Sequence, residues 1–133
     1  MIDNLFKQFA APLDLAGRIL IALIFVIAGY GKIGGYEGTA GYMEAMGVPG
    51  SLLPLVILTE LGGGLAIVLG LFTRPVAIAL AGFSILSGWL FHNPADAAQQ
   101  IMFMKNLALG GGFLILAAHG AGAWSLDAKL KKQ

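Results

Sequence analysis

Cysteine is absent from this sequence, and charged residues make up only 11% of its 133 positions. Without cysteine the chain has no disulfide, no thiolate nucleophile, and no cysteine ligand for zinc or an iron–sulfur cluster, so any redox chemistry must use other groups. An ordinary soluble domain carries about 25% charged residues. A chain with so few charges could not cover a water-facing surface, and lipid is the expected solvent for most of it.

Positive charge is scarce as well. The formal net charge is +1, and the lysine and arginine residues are spread along the chain. A protein that binds nucleic acid needs a basic patch or stripe. We therefore expect no nucleic-acid partner.

What the sequence has instead is long apolar runs, with 58% hydrophobic residues. Crossing the ~30 Å hydrocarbon core takes roughly 20 predominantly apolar residues in a helix. The runs are continuous rather than alternating with period two, which favours helices over the strands of a barrel. Four segments qualify, namely residues 13–33, 52–72, 75–91 and 101–118. The sequence predicts one all-α domain over residues 1–133, a polytopic membrane four-helix bundle.

The positions of lysine and arginine predict the orientation, because cytoplasmic loops carry the excess of positive charge. Arg18 lies in the first turns of the first span and is expected to extend to the same side as the other positive residues. Those residues are Lys7, Arg74, Lys129, Lys131 and Lys132. Both termini are therefore predicted to be cytoplasmic. The outer connection at residues 34–51 is predicted to be a surface connector, with a lid over a pocket as the alternative.

One carboxylate, Glu60, interrupts the second apolar run just before three glycines. At 1.5 Å per residue, its α-carbon lies roughly 12 Å below the outer end of its span, and that of Lys105 about 6 Å below. A charge near the middle of a bilayer costs at least about 2.5 to 3.5 kcal/mol, so such residues face the bundle interior and pair with one another. Glu60 and Lys105 are the expected partners, between helices that pack closely through glycine.

Further polar and aromatic side chains fall in the same outer half of the bundle. We expect a ligand pocket in which Lys105 hydrogen-bonds a carbonyl oxygen, Glu60 holds Lys105 or relays a proton, and Tyr30 or Trp89 stacks on a ring. The candidate binding residues are Lys32, Glu60, Lys105, Asn106, Tyr30, His92 and Trp89. The alternative is a structural lock in which Glu60 and Lys105 only fix helix packing. His92 and His119 are expected at opposite ends of the bundle, so they cannot share one iron, and no metal site is predicted.

Three motifs resemble the DoxX family of small four-helix membrane proteins. They are FVIAGYGKIGGY at residues 25–36, ELGGGLAIVLGLFTRPVA at residues 60–77 and FMKNLALGGGFLILAAHGAGAWSLD at residues 103–127. The resemblance covers nearly the whole chain, although many relatives carry a histidine where this chain has Ala28. It implies a multi-pass bacterial inner-membrane protein with relatives in quinone-coupled thiosulfate oxidation, terminal oxidases or oxidative-stress complexes. The matched polar positions are Lys32, Glu60, Arg74, Lys105 and Asn106.

Together these observations favour a membrane subunit that supports quinone-linked or oxidative-stress redox chemistry through the outer-half pocket. Its expected contacts are membrane lipid, a quinone and redox partner proteins. A non-enzymatic accessory or scaffold protein is the second hypothesis. A small-solute carrier is the third hypothesis. It ranks last because the sequence shows neither an inverted repeat nor a span broken in its middle by proline, which are features of many carriers.

Overall fold

The computed structural model describes residues 2–92 and 95–131, and these residues form helices and turns with no strand. The second membrane span is composite: a 3₁₀ turn at Gly50–Leu52 precedes α4, and a π-helical turn at Leu58–Gly62 joins α4 to α5. The helices are α1 (Ile2–Gln8), α2 (Ala10–Gly34), α3 (Tyr36–Ala45), α4 (Leu53–Ile57), α5 (Gly63–Leu69), α6 (Thr73–Phe91), α7 (Ala97–His119) and α8 (Leu126–Lys131). Lys132 and the side chain of Lys131, used above for orientation, lie outside the described residues.

Four helical segments are long and apolar enough to cross a membrane: Ala10–Gly34, Gly50–Leu69, Thr73–Phe91 and Ala97–His119. They confirm the predicted all-α membrane bundle. We call the end of the bundle that holds Ala10, Leu69 and His119 the terminal end, and the opposite end the loop end. The cytoplasmic location of the terminal end stays a prediction from its positive charges.

All four spans contribute to one buried core. Phe25 of α2 and Phe113 of α7 meet edge to face with ring centroids 5.4 Å apart, the geometry that aromatic quadrupoles prefer. The other buried members of the core are Ala22, Ile67, Ala77, Leu80 and Ala81. Three of these core residues are alanines, and their small side chains leave room for the two aromatic rings between the helices.

Two glycines bring α2 very close to the second span. A β-carbon built on Gly29 would lie 2.8 Å from the backbone nitrogen of Leu61, and one on Gly64 would lie 2.9 Å from the side chain of Val26. Neither position has room for a larger residue unless the backbones separate. Close approach through small residues is how membrane helices gain van der Waals contact in a solvent that supplies no hydrophobic drive.

The second span ends at Leu69, before the predicted end at Phe72. Gly70 adopts the left-handed conformation with φ of 71°. The Leu71 amide donates to the carbonyl of Ala66 at 2.9 Å, and the Gly70 amide donates to that of Ile67 at 3.1 Å. This pair of bonds is the Schellman motif, which ends a helix at a left-handed glycine even when the residues that follow are apolar.

Arg18 is buried, with 1% of its surface exposed, and does not extend to the membrane surface as predicted. Its guanidinium donates to the carbonyl oxygens of Ile67 at 3.1 Å and Val68 at 2.9 Å, and also to that of Trp124. The last carbonyls of a helix have no intrahelical partner. Arg18 satisfies those of α5 from inside the bundle, which is why the surface prediction was wrong.

The carboxylate of Asp127 ties the C-terminal segment to the start of α6. It accepts the amide hydrogens of Phe72 at 2.7 Å and Thr73 at 2.8 Å, and the Asp127 amide donates to the Gly70 carbonyl at 2.8 Å. Burial alone would raise the pKa of Asp127, but hydrogen bonds from Thr73 and Phe72 and the charge of Arg18 outweigh it, so the pKa lies below its ordinary value. The terminal end of the bundle is thus closed by polar contacts.

Replacing Gly70 with alanine is expected to destabilise the protein by at least about 1–2 kcal/mol, the cost of a left-handed backbone for a residue with a β-carbon. The added carbon would also lie 2.6 Å from Nη1 of Arg18. Gly17→Ala in α2 is the control, because no neighbouring atom lies within 4 Å of its β-carbon position. The melting temperature of each variant is measured by thermal unfolding in mild detergent. Equal melting temperatures for the two variants would contradict the role of Gly70.

Asp127→Asn tests the carboxylate through pH. Because the folded pKa is lowered, the charged form stabilises the protein above the ordinary value of 3.8, and this contribution is lost as pH falls through the lowered pKa. We expect the variant to melt at a lower temperature than wild type at neutral pH, and the difference to shrink below pH 3.8. Asp3→Asn, on the exposed helix α1, is the control and should have the same melting temperature as wild type at both pH values. A difference independent of pH would contradict the assignment.

Candidate functional site

A cavity of about 450 Å³ lies between the spans toward the loop end. This volume falls within the range of small-molecule sites, which are mostly apolar with a few convergent polar groups. Aliphatic and aromatic side chains from the four spans and α3 form most of its wall, among them Phe25, Met43, Val56, Phe83 and Leu109. The polar residues of the wall are Lys32, Thr39, Thr59, Glu60, Ser84, Ser87, His92, Lys105 and Asn106.

Glu60 forms an ion pair with Lys32, whose Nζ lies 2.7 Å from Oε1 of the carboxylate. Glu60 is 6% exposed, whereas the side chain of Lys32 is 27% exposed. The prediction that Glu60 pairs with Lys105 was therefore wrong. Gly29 lets the backbone of α2 approach Leu61, so Lys32, one turn beyond Gly29, comes alongside the residue that precedes Leu61.

Glu60 lies in the π-helical turn of the second span, which places it and Thr59 side by side in the cavity wall. The Thr59 hydroxyl donates to the carbonyl of Leu55 at 2.8 Å, within the same helix. Single π-turns inside α-helices are rare and frequently occur at functional sites. Among the described residues this is the only π-turn, and it coincides with the buried carboxylate.

Lys105 lines the cavity from α7 and forms no ion pair or hydrogen bond with any residue in the described ranges 2–92 and 95–131. Its neighbour Asn106 is buried, and Nδ2 of Asn106 donates to the Ser87 hydroxyl at 3.2 Å. A β-carbon on Gly88 would lie 2.9 Å from that of Asn106, so Gly88 makes room for the amide. The structure thus brings Lys105 and Asn106 to the cavity, where Lys105 has no polar partner among the described residues.

Ser84 of α6 carries a second polar group without a protein partner. The residue is 1% exposed, its Oγ has no hydrogen bond within the described part of the chain, and it lines the cavity. Buried polar groups in native proteins are nearly always satisfied, so such an oxygen calls for an explanation. Sequence reasoning did not identify Ser84 as a binding residue, although it and Ser87 are three residues apart and so share a helix face.

Tyr30 and Trp89 lie outside the cavity, with 73% and 71% of their surfaces exposed. The prediction that either stacks on a ligand ring was wrong for a geometric reason. Each directly follows a glycine that faces a neighbouring helix, Gly29 against Leu61 and Gly88 against Asn106. Successive residues of a helix are rotated by about 100°, so these aromatic rings point away from the bundle.

His92 follows the last residue of α6 and lines the cavity, and its role as a binding residue stays a prediction. Its Nδ1 lies 3.3 Å from Oε1 of Gln99 on α7. Nearby, the rings of Tyr42 on α3 and Phe91 on α6 stack with centroids 5.6 Å apart. The predicted surface connector therefore forms a wall of the cavity.

Within the described residues no group of three or more histidine or acidic side chains could hold a metal ion.

Comparison with known proteins places this architecture in a family. The sequence profile of DoxX matches residues 13–93. Inner membrane protein YqjF of Escherichia coli (strain K12) is 57% identical over 120 residues, covering 90% of this chain and 92% of that protein. Inner membrane protein YphA of the same organism is 37% identical over 121 residues, covering 85% of this chain and 86% of that protein.

A third relative, from Bacillus subtilis (strain 168), has the name "Putative oxidoreductase CatD" and is 33% identical over 64 residues, 48% of each chain. No solved structure matches the chain significantly. The two longer matches, with the four apolar helices, establish an inner-membrane protein. The chain belongs to the DoxX family.

Proposed function

We propose that this protein is a redox subunit of the inner membrane that binds a quinone head group in the loop-end cavity, with electrons exchanged by partner proteins. The observation that carries the proposal is the cavity itself, about 450 Å³ of mostly apolar space whose wall includes Lys105 and Ser84, two side chains without a polar partner among the described residues. A head group is a flat apolar ring with two carbonyl oxygens. It needs apolar walls and hydrogen-bond donors, and the cavity offers both.

The donors come from two neighbouring helices. Lys105 lies on α7, and Ser84 lies on α6 beside the hydrogen-bonded pair of Ser87 and Asn106. In the proposed complex Lys105 donates to one ring oxygen and the Ser84 hydroxyl to the other. Binding would then satisfy the buried hydroxyl, which no protein group does within the described residues.

Glu60 and Lys32 have a different role from the one predicted for Glu60 and Lys105. Their ion pair borders the cavity, and the lysine side chain is partly exposed toward the loop end. A buried carboxylate with a partly exposed partner is suited to exchanging a proton between a ligand and the membrane surface. We propose that this pair supplies or removes the protons that a quinone takes up or loses.

The chain has no cysteine, so a dithiol of this protein cannot deliver the electrons, and the proposal assigns that step to partners. The name of the B. subtilis relative, an oxidoreductase, is in line with redox chemistry in the family. That match covers only 48% of each chain, and it supports the class of chemistry rather than a substrate.

Quinone binding can be tested by the melting temperature of the purified protein in mild detergent with and without menadione, a short naphthoquinone. At a concentration 100 times the Kd, a bound ligand stabilises the folded state by about 2.7 kcal/mol. Ser84→Ala should weaken binding up to about tenfold, because a net hydrogen bond contributes about 0.5–1.5 kcal/mol. Ser51→Ala, an exposed serine outside the cavity, is the matched control. No thermal shift in the wild-type protein would refute the proposal.

A non-enzymatic scaffold is the second candidate, and the ion pair between α2 and the second span favours it, because such a pair also fixes how two helices pack. A scaffold would show no thermal shift with quinones. Its stability would still depend on the ion pair. A binding subunit, in contrast, would show a thermal shift with quinones and would also lose stability when the ion pair is broken.

The ion pair itself is tested by a double-mutant cycle. Glu60→Gln alone should destabilise the protein by on the order of 1–3 kcal/mol, because it leaves the lysine charge without its partner. Combining Glu60→Gln with Lys32→Met removes both charges and should restore part of this loss. Melting temperatures of the four proteins give the coupling. Additive effects would show that the two residues do not interact.

A further inference from the structure

We infer that the cavity selects a ring that carries a negative charge, such as an ionised hydroxyquinone or a quinol monoanion, with its oxyanion beside Lys105. This inference rests on the proposed function and adds the charge state of the ligand. It follows from how the charged residues of the cavity wall are paired.

Three residues of the wall carry a formal charge: Lys32, Glu60 and Lys105. Lys32 and Glu60 neutralise each other at 2.7 Å. Lys105 has no carboxylate within 4.0 Å among the described residues. The wall therefore carries one unbalanced positive charge, on the α7 side.

An unpaired cation within a membrane span is costly, and charged residues there pair with one another or face a cavity. Lys105 lies in the span Ala97–His119 and faces the cavity. A neutral carbonyl oxygen would give it only a hydrogen bond. An oxyanion would balance the charge as well, because two opposite charges attract each other strongly where water is excluded.

The other polar groups of the cavity are suited to the rest of such a ligand. The Ser84 hydroxyl lacks a partner in the described part of the chain and can donate to a second ring oxygen. Glu60 would repel an anion, but Lys32 neutralises its charge at 2.7 Å, and this pair lies on α2 and the second span rather than on α7. An anionic ring would thus be oriented with its charged oxygen toward α7.

Comparing two naphthoquinones of nearly the same size, one charged and one neutral, tests the effect of ligand charge at a nearly constant shape. Lawsone carries an acidic hydroxyl that is ionised at neutral pH, and menadione carries a methyl group instead. Binding is measured to the protein in phosphatidylcholine nanodiscs, with protein-free nanodiscs as the baseline. We expect lawsone to bind at least tenfold more tightly than menadione at neutral pH. This preference should disappear when the pH is lowered until the hydroxyl is protonated.

Variants locate the preference at Lys105. Lys105→Met should bind both compounds with similar affinity, Lys105→Arg should keep the preference, and Lys7→Met, on the exposed helix α1, should behave as wild type. Equal binding of both compounds by wild type, or tighter binding of menadione, would overturn the inference and leave quinone binding intact. If neither compound binds, both proposals fail. The pH series in wild type decides the question even if Lys105→Met does not fold.

Discussion

The close approach of α2 to the second span is the constraint from which the rest of the loop-end half follows. At Gly29 the two backbones come so near that a β-carbon would meet the backbone nitrogen of Leu61 at 2.8 Å. This contact fixes the rotation of both helices, because any turn of α2 would bring a larger side chain against Leu61. With the rotation fixed, Lys32 lies beside Glu60, and the π-turn keeps that carboxylate at the cavity wall.

The terminal end holds the bundle together by other means. Arg18 satisfies the last carbonyls of α5, and Asp127 satisfies the first amides of α6, so the tight turn at Gly70 is tied to both the first span and the C-terminal segment. Arg74 adds hydrogen bonds to the last carbonyls of α7. A backbone group without a partner is costly away from water, so these bonds stabilise the ends of the helices.

The sequence predicts the bundle well because hydropathy and length determine which segments cross a membrane, and it places Lys32, Glu60, Lys105, Asn106 and His92 in the correct half. It does not predict which lysine pairs with Glu60. Counting depth along each helix gives height in the membrane but not the rotation that a glycine contact imposes, so it favours Lys105 over Lys32. The same missing rotation explains why Tyr30 and Trp89 were expected in the cavity. Arg18 was expected at the surface because a depth count cannot show that a helix end needs its guanidinium. Gly70 before Thr73 and Pro75 was a readable signal for the end of the second span.

The pairing of Glu60 also determines the electrostatic character of the cavity. Had Glu60 paired with Lys105, the two charges nearest a ligand would have cancelled, and Lys32 would have been left near the membrane surface, where water can solvate it. The cavity would then resemble an ordinary apolar pocket with neutral donors. Because Gly29 brings Lys32 to Glu60 instead, Lys105 has no acidic partner among the described residues, in a region of low dielectric constant where an unbalanced charge acts most strongly. A glycine without functional groups thus determines, through the choice of ion-pair partner, which lysine of the cavity wall has no acidic partner among the described residues.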